Sequence, residues 1–305
     1  MPFTDANSQL EPLLFQMKQF KNLTKTTVEI LPSSGQTNYG PHRRCIFTLP
    51  YASLISLEDL AFHFTFEPDV PAYQSTGSPT KTVPYFRMLP PRDVASLISE
   101  IDIKINGQTI QHLTRYNYIV NILNAFEHPE IAKVALQGFD PSIVYEKTAN
   151  GVWQDLPNAD YNVVPYPGNL NNKPKKYIIN HWYGLLGHRG KDVSSNFLDT
   201  NILGEVTIAF VFATPSVCAK TAATDAQIQT VAGATGNDKP SAAQITTAAT
   251  QGTYTISNCK MSMVRYNLPM SYSEAVRSAL VGGQQYKIAF NHYETHSPKS
   301  RTKQR

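Results

Sequence analysis

His181 and His188 flank Trp182-Tyr183-Gly184-Leu185-Leu186-Gly187, and they are the histidines in this 305-residue chain whose neighbourhood most invites a chemical reading. A seven-residue separation in a glycine-bearing loop does not put two imidazoles on one metal. Both therefore read more simply as packed or solvent-facing loop residues. The glycines of the same stretch, Gly184, Gly187 and Gly190, follow no phosphate-cradling or dinucleotide spacing. No Gly-x-Ser-x-Gly, HExxH or Walker A pattern occurs, so nothing pairs a nucleophile with a base or a metal, and no catalytic, cofactor or metal residue is assigned.

Three cysteines, Cys45, Cys218 and Cys259, are odd in number, widely spaced and without CxxC, which predicts reduced thiols acting as small buried hydrophobes. Asn22-Leu23-Thr24 matches the glycosylation pattern. The start Met1-Pro2-Phe3-Thr4-Asp5 has no basic region leading into an apolar stretch, however, so no secretory signal is expected and the match reads as chance. The basic end, with Lys299, Arg301, Lys303 and Arg305, offers cations that neutralise phosphate without reading sequence, and genome or inner-face contact is the functional expectation for it. A solvated tail is the simpler reading. The net charge of +4 makes no case for nucleic acid by itself.

Tyr161, Tyr166, Tyr177, Trp182 and Tyr183 form an aromatic group in a charge-poor chain: charged residues are only 16%, well below the usual quarter. Such a surface fits either a sugar platform or a contact between subunits. The contact is favoured, with Tyr161, Tyr166, Trp182 and Tyr183 as its candidate residues.

The elements that carry these residues are mostly strands. Leu60, Phe62, Phe64 and Phe66 alternate with Ala61, His63 and Thr65, and Ile101, Ile103 and Ile105 with Asp102 and Lys104; both are the period-2 pattern of a strand with one face in a core. Thr26–Leu31, Cys45–Leu49, Lys176–Ile179 and Val206–Phe212 add further strands, the last expected to be covered on both faces. Asn106-Gly107 suits a type I′ hairpin turn. A one-residue phase slip at Ser257-Asn258 predicts a bulge in the strand from Tyr254 to Met263. Helical spacing from Tyr116 to Phe126 predicts a helix capped by Thr114, and Ser271-Tyr272-Ser273-Glu274 is a capping box for a second, over Tyr272–Val281, stopped by Gly282-Gly283.

Short strands, long connections and few helices indicate an all-β fold, an antiparallel jelly-roll barrel. Residues 1–25 read as an N-terminal arm and 26–266 as the barrel, with excursions at 67–92, 138–200 and 216–252. The first of these holds six prolines, and the last is low in large apolar side chains, which predicts a mobile tip. Residues 267–305 supply the capped helix and a strand at Tyr286–Phe290.

Thr27-Val28-Glu29-Ile30-Leu31-Pro32-Ser33-Ser34-Gly35, Leu54-Ile55-Ser56-Leu57-Glu58-Asp59 and Ile98 through Gln108 resemble the major capsid proteins of polinton-like viruses and virophages, a double jelly-roll lineage that includes adenovirus hexon. Asn258-Cys259-Lys260 through Gly282-Gly283 to Tyr286-Lys287-Ile288-Ala289-Phe290 is similar to that family's passage from a first barrel to a second. The resemblance implies a structural protein of the virion and no enzyme: homotrimers forming pseudo-hexagonal capsomers, neighbouring capsomers in an icosahedral shell around DNA, and penton or minor capsid proteins, genome or an internal membrane as partners. It implies no cofactor and no small-molecule substrate. Two other classes stay open, a receptor- or carbohydrate-binding spike or fibre domain, and an enzyme on a β scaffold.

Overall fold

A computed structural model of the chain describes residues 24–74, 82–84, 86–126, 143–147, 153–157, 174–187, 197–222, 247, 250–267, 270–283, 288 and 290–295. The strands are β1 (Thr24–Ile30), β2 (Asn38–Tyr39), β3 (Arg44–Thr48), β4 (Leu54–Asp69), β5 (Ala72–Gln74), β6 (Thr82–Pro84), β7 (Phe86–Leu89), β8 (Ile98–Ile105) and β9 (Gln108–Leu113). Helix α1 (Tyr116–Phe126) follows, then β10 (Ile143–Lys147), β11 (Trp153–Pro157), β12 (Lys175–Ile179) and β13 (Phe197–Asp199). The short α2 (Thr200–Leu203) leads to β14 (Val206–Phe212), β15 (Ala219–Ala222), β16 (Thr253–Asn267) and α3 (Met270–Val281).

Pairing is antiparallel and nested. Strand β8 pairs with β9, β4 with β12 and β13, β3 with β14, and β1 with β16. The chain is thus one long two-ply ribbon doubled back at Asn106-Gly107, where φ is +49° and +79°, as the two-residue hairpin turn requires. Rolling the ribbon brings alternate rungs into opposite sheets, one ordered β1-β16-β4-β12 and the other β3-β14-β8-β9. Eight strands in two sheets with this connectivity are a jelly roll.

Period-2 patterning decides which side chains meet between the sheets. Phe62 on β4 crosses to the facing sheet, its ring centroid 5.7 Å from Phe47 and 5.1 Å from Phe210. Ile101, Ile103, Ile208 and Met261 complete the same buried layer. The outer face of β14 is only partly covered: Ala209 is buried, but Thr207 and Val211 stay half-exposed, which corrects the expectation of full cover. The bulge is present, with register shifting between Ser257 and Lys260 and Asn258 at φ +52°.

Other expectations change. Thr114 caps nothing in α1; its hydroxyl meets that of Thr295 at 3.3 Å, while Arg115, at φ +54°, turns the chain into the helix. Helix α3 begins at Met270, so Ser271 lies inside it, although Gly283, at φ +89°, ends it as expected. The strand predicted at Tyr286–Phe290 falls partly outside the described residues. Ile288 and Phe290, which are described, are irregular and pack against the barrel core. Within 138–200, Lys175–Ile179 and Phe197–Asp199 are barrel strands rather than excursion, and β7 and β15 bring order to parts of 67–92 and 216–252.

Candidate functional site

Because the ribbon is nested, its connections alternate between the two ends of the barrel. At one end lie three short ones, 49–53, 106–107 and 200–205. At the other lie 31–43, 70–97, 114–174 and 213–252. The four longest connections between successive barrel strands therefore fall on the same end, a consequence of topology that composition alone does not reveal; 180–196 instead interrupts the strand formed by β12 and β13 along β4.

The short end is laced by side chains. Asn106 accepts from Glu205 N through Oδ1 (3.0 Å) and donates through Nδ2 to Leu203 O (2.8 Å), while its own backbone N–H donates to Glu205 O (2.8 Å). Thr200 Oγ1 accepts from Ser53 N (2.9 Å) and lies 2.8 Å from Pro50 O, to which it donates. The Asp199 carboxylate caps α2 by accepting from Asn201 N at 2.9 Å. Burial raises the Asp199 pKa, and the hydrogen bonds from Asn201 and Ile202 oppose that shift. These bonds give partners to backbone groups of Pro50, Ser53, Asn106, Asn201, Leu203 and Glu205, so that three separate connections are tied together. Strand β1 starts and β16 finishes here, since Thr24 pairs with Asn267.

The long end is a second structure built on the barrel. Strands β5 and β6 form a hairpin, β10 and β11 another, and β7 of one excursion pairs with β15 of a different one in the register Leu89↔Ala219 to Phe86↔Ala222. Strand β11 lies against β15, so three excursions join in one body. Gly252 lets the returning chain press on Phe86: a Cβ there would lie 2.4 Å from the ring.

Beneath it, Asp93 accepts from Ala95 N at 3.0 Å and caps the buried 3-10 turn Val94–Leu97. Asn124 of α1 links that carboxylate to the Tyr183 hydroxyl, and Ser96 Oγ donates to Asn121 Oδ1 at 2.8 Å. The Tyr116 hydroxyl accepts from Tyr183 N at 3.2 Å, and burial pushes its pKa up.

Trp182 and Tyr183, expected in an exposed contact between subunits, are core residues. Trp182 is 1% exposed, stacks on Phe210 with ring planes 3° apart, and donates from Nε1 to Leu60 O at 2.9 Å. A side chain so enclosed has no surface to offer a neighbour, which corrects the expectation at both positions. Tyr161 and Tyr166 lie outside the described residues, as do Lys299, Arg301, Lys303 and Arg305. His181 is also buried, edge-on to Tyr183 at 4.7 Å; His188 lies outside the described residues. Among the described residues, no three of His, Cys, Asp and Glu are grouped to hold a metal, and no helix is long and apolar enough to cross a membrane.

The outer sheet faces carry charge in small networks. Asp102 on β8 is bridged by Arg44 of β3, with Lys104 Nζ at 3.8 Å and His112 Nδ1 at 3.9 Å. On the opposite sheet, Lys260 pairs with Glu29 at 2.7 Å, and this bond holds the Glu29 carboxyl below its usual range. His63 Nε2 lies 2.7 Å from Ser262 Oγ. Its pKa is lowered, first by burial and then by the Lys260 charge, with Glu29 opposing.

Neither a protein-family model nor a curated protein matches the chain. Solved structures are similar to it. The Faustovirus major capsid protein is 11% identical over 86% of this chain and 57% of that one, with TM-score 0.42. A chain of the Sputnik virophage is 10% identical over 81% and 48%, with TM-score 0.44. The mavirus major capsid protein is 15% identical over 81% and 48%, with TM-score 0.38. The chain spans about half the length of these structures.

Proposed function

We propose that the chain is a structural subunit of a viral capsid, assembling as homotrimers that tile an icosahedral shell, and that it resides in the virion. The observation that carries this reading is the asymmetry of the barrel. One end is short and laced by side chains, and receives both the start of β1 and the finish of β16; the other carries the four longest connections, three of which join in one body standing on the sheets. A subunit of a shell needs that division, because a stable contact buries about 800 Å² on each partner. Excursions supply such area without disturbing the core, and the rolled sheets keep most strand edges away from chance pairing. The sequence resemblance to double jelly-roll capsid proteins points the same way, with residues 26–266 as a first barrel and 267–305 leading towards a second.

Light scattering on purified protein, with negative-stain electron microscopy of the same fractions, tests the proposal. Particles at three times the 34.0 kDa chain mass, or hexagonally packed arrays, are the expected result. A 34.0 kDa species at every concentration and ionic strength, with no arrays, would remove it.

A further inference from the structure

Two barrel sheets leave four edges, and three of them are engaged or broken among the described residues. Strand β9 is covered by the segment whose Asn291 O accepts from Gln111 Nε2 at 3.3 Å. On β3, Ile46 O accepts from Ser33 N at 2.7 Å. A third edge is split between β12 and β13, of five and three residues. The fourth is β1, seven residues in unbroken register with β16 on one side and with no strand on the other among the described residues. Val28 and Ile30 lean on the core, whereas Thr24 to Thr27 and Glu29 are exposed. An open row of backbone N–H and C=O groups on a strand rich in β-branched residues is a template for another strand. Proline and bulges commonly blunt such edges, and β1 has neither. Its charges are Lys25 and Glu29, which share the outer face with Thr27.

We infer that β1 pairs antiparallel with β1 of a second copy of this chain across a twofold axis at Thr27, joining two sheets into one. In that register Lys25 faces the second copy's Glu29 and Glu29 faces its Lys25. Thr24 faces Ile30, Thr26 faces Val28 and Thr27 meets itself, so the whole strand is used. Opposite charges and threonine pairs directly across are favourable cross-strand combinations, and like charges are unfavourable. A shift of two residues shortens the overlap and sets Thr27 against Lys25 or Glu29, which loses both charge pairs. A shift of one residue sets groups that point out of one edge against groups that point back into the other sheet. Within its own chain Glu29 accepts from Lys260 Nζ through Oε1 at 2.7 Å, and Oε2 remains for the second copy's Lys25. The contact is isologous, unlike the threefold contact of a trimer, and does not rest on the capsid reading.

Full-length Thr27→Cys protein, with Thr24→Cys as its control, would be oxidised with copper phenanthroline at rising concentration and run on non-reducing gels. Both positions are exposed and the native cysteines are buried. The register sets the two thiols at position 27 side by side and holds those at position 24 roughly 20 Å apart along the strands. The expected product is a dimer at twice the 34.0 kDa chain mass from Thr27→Cys alone, reversed by dithiothreitol. Adding Lys25→Glu or Glu29→Lys should slow the linking on the order of tenfold, because like charges then face each other twice. Mixing those two chains makes both facing pairs opposite in sign again and should restore the Thr27→Cys rate, a rescue that a folding defect could not produce. Linking of Thr27→Cys no faster than of Thr24→Cys, the result if another segment of the chain occupies the edge, would overturn the inference. So would charge variants that link at the full rate, or a mixture no faster than its parts. Trimers or arrays without this link would overturn the pairing and leave the capsid reading in place, whereas linked dimers without trimers would do the reverse.

Discussion

Trp182 shows how much one side chain holds here. It stacks on Phe210 from the facing sheet and satisfies Leu60 O of β4, so Trp182→Ala opens a cavity between the sheets and leaves a buried carbonyl without its donor. The expected loss is about 3–5 kcal/mol, read as a lower urea midpoint with native secondary structure retained. An unchanged midpoint would show that the indole does not fill the core. The role was hidden in the sequence because Trp182 sits in an irregular stretch between β12 and the 3-10 turn Gly184–Leu186, where neither a 2.0 nor a 3.6 period marks the buried side. His63 yields a second expectation. Its folded pKa lies below the ordinary imidazole value of 6.5, so the native protein resists a proton that the unfolded chain accepts. Stability should therefore fall as pH drops through 6.5 towards the folded pKa, and His63→Gln should flatten that slope. Melting temperatures from about pH 7.5 to about pH 5 read both curves, and parallel slopes would remove His63 as the cause.

At the scale of elements, the strands announced themselves wherever one face is buried and the other wet. Leu60 to Phe66 and Ile101 to Ile105 are the clearest cases, and the Asn106-Gly107 turn and the Ser257-Asn258 bulge followed from the same reasoning. What stayed illegible was non-local. The pairing of β7 with β15 joins residues more than a hundred positions apart, and β13 is a three-residue strand that exists only because β4 offers it an edge. Thr114 misled for a related reason: its hydroxyl finds Thr295, far along the chain, in place of the helix end. The laced end gives this scale its prediction. Gly204 sits at φ +79°, and a Cβ there would lie 2.4 Å from Asn106 Oδ1. Gly204→Ala should thus disturb both the turn and the Asn106 bonds, costing about 1–3 kcal/mol. Amide exchange should speed up at Asn106 and Glu205 while Phe62 stays protected. Uniform exchange across the barrel would show that the lacing is not a local unit.

For the whole molecule, the telling segment is the one that leaves α3. Ile288, Phe290 and Tyr293 pack on the core of the barrel, Asn291 O accepts from Gln111 Nε2 at 3.3 Å, and Tyr293 stands edge-on to Tyr183 at 6.1 Å. Gln111 is buried, and its other amide atom accepts from Leu185 N at 2.7 Å. The segment thus lies along β9, the edge of its sheet, and covers the seam towards the irregular stretch that carries Trp182 and Tyr183. The resemblance makes Tyr286–Phe290 the opening strand of a second barrel; of these residues, Ile288 and Phe290 are described, and they rest on the first. Through Ile288, Phe290 and Tyr293 the described part of this segment acts as a strap on the barrel. A chain ending at Gly283 should then unfold at a lower temperature and exchange amides faster in β9 and at Leu185, since Gln111 loses one of its two partners in a buried site, where an unsatisfied amide costs about 1–3 kcal/mol. Equal melting and equal exchange in the shortened and full chains would mean that the strap contributes nothing to the barrel it covers.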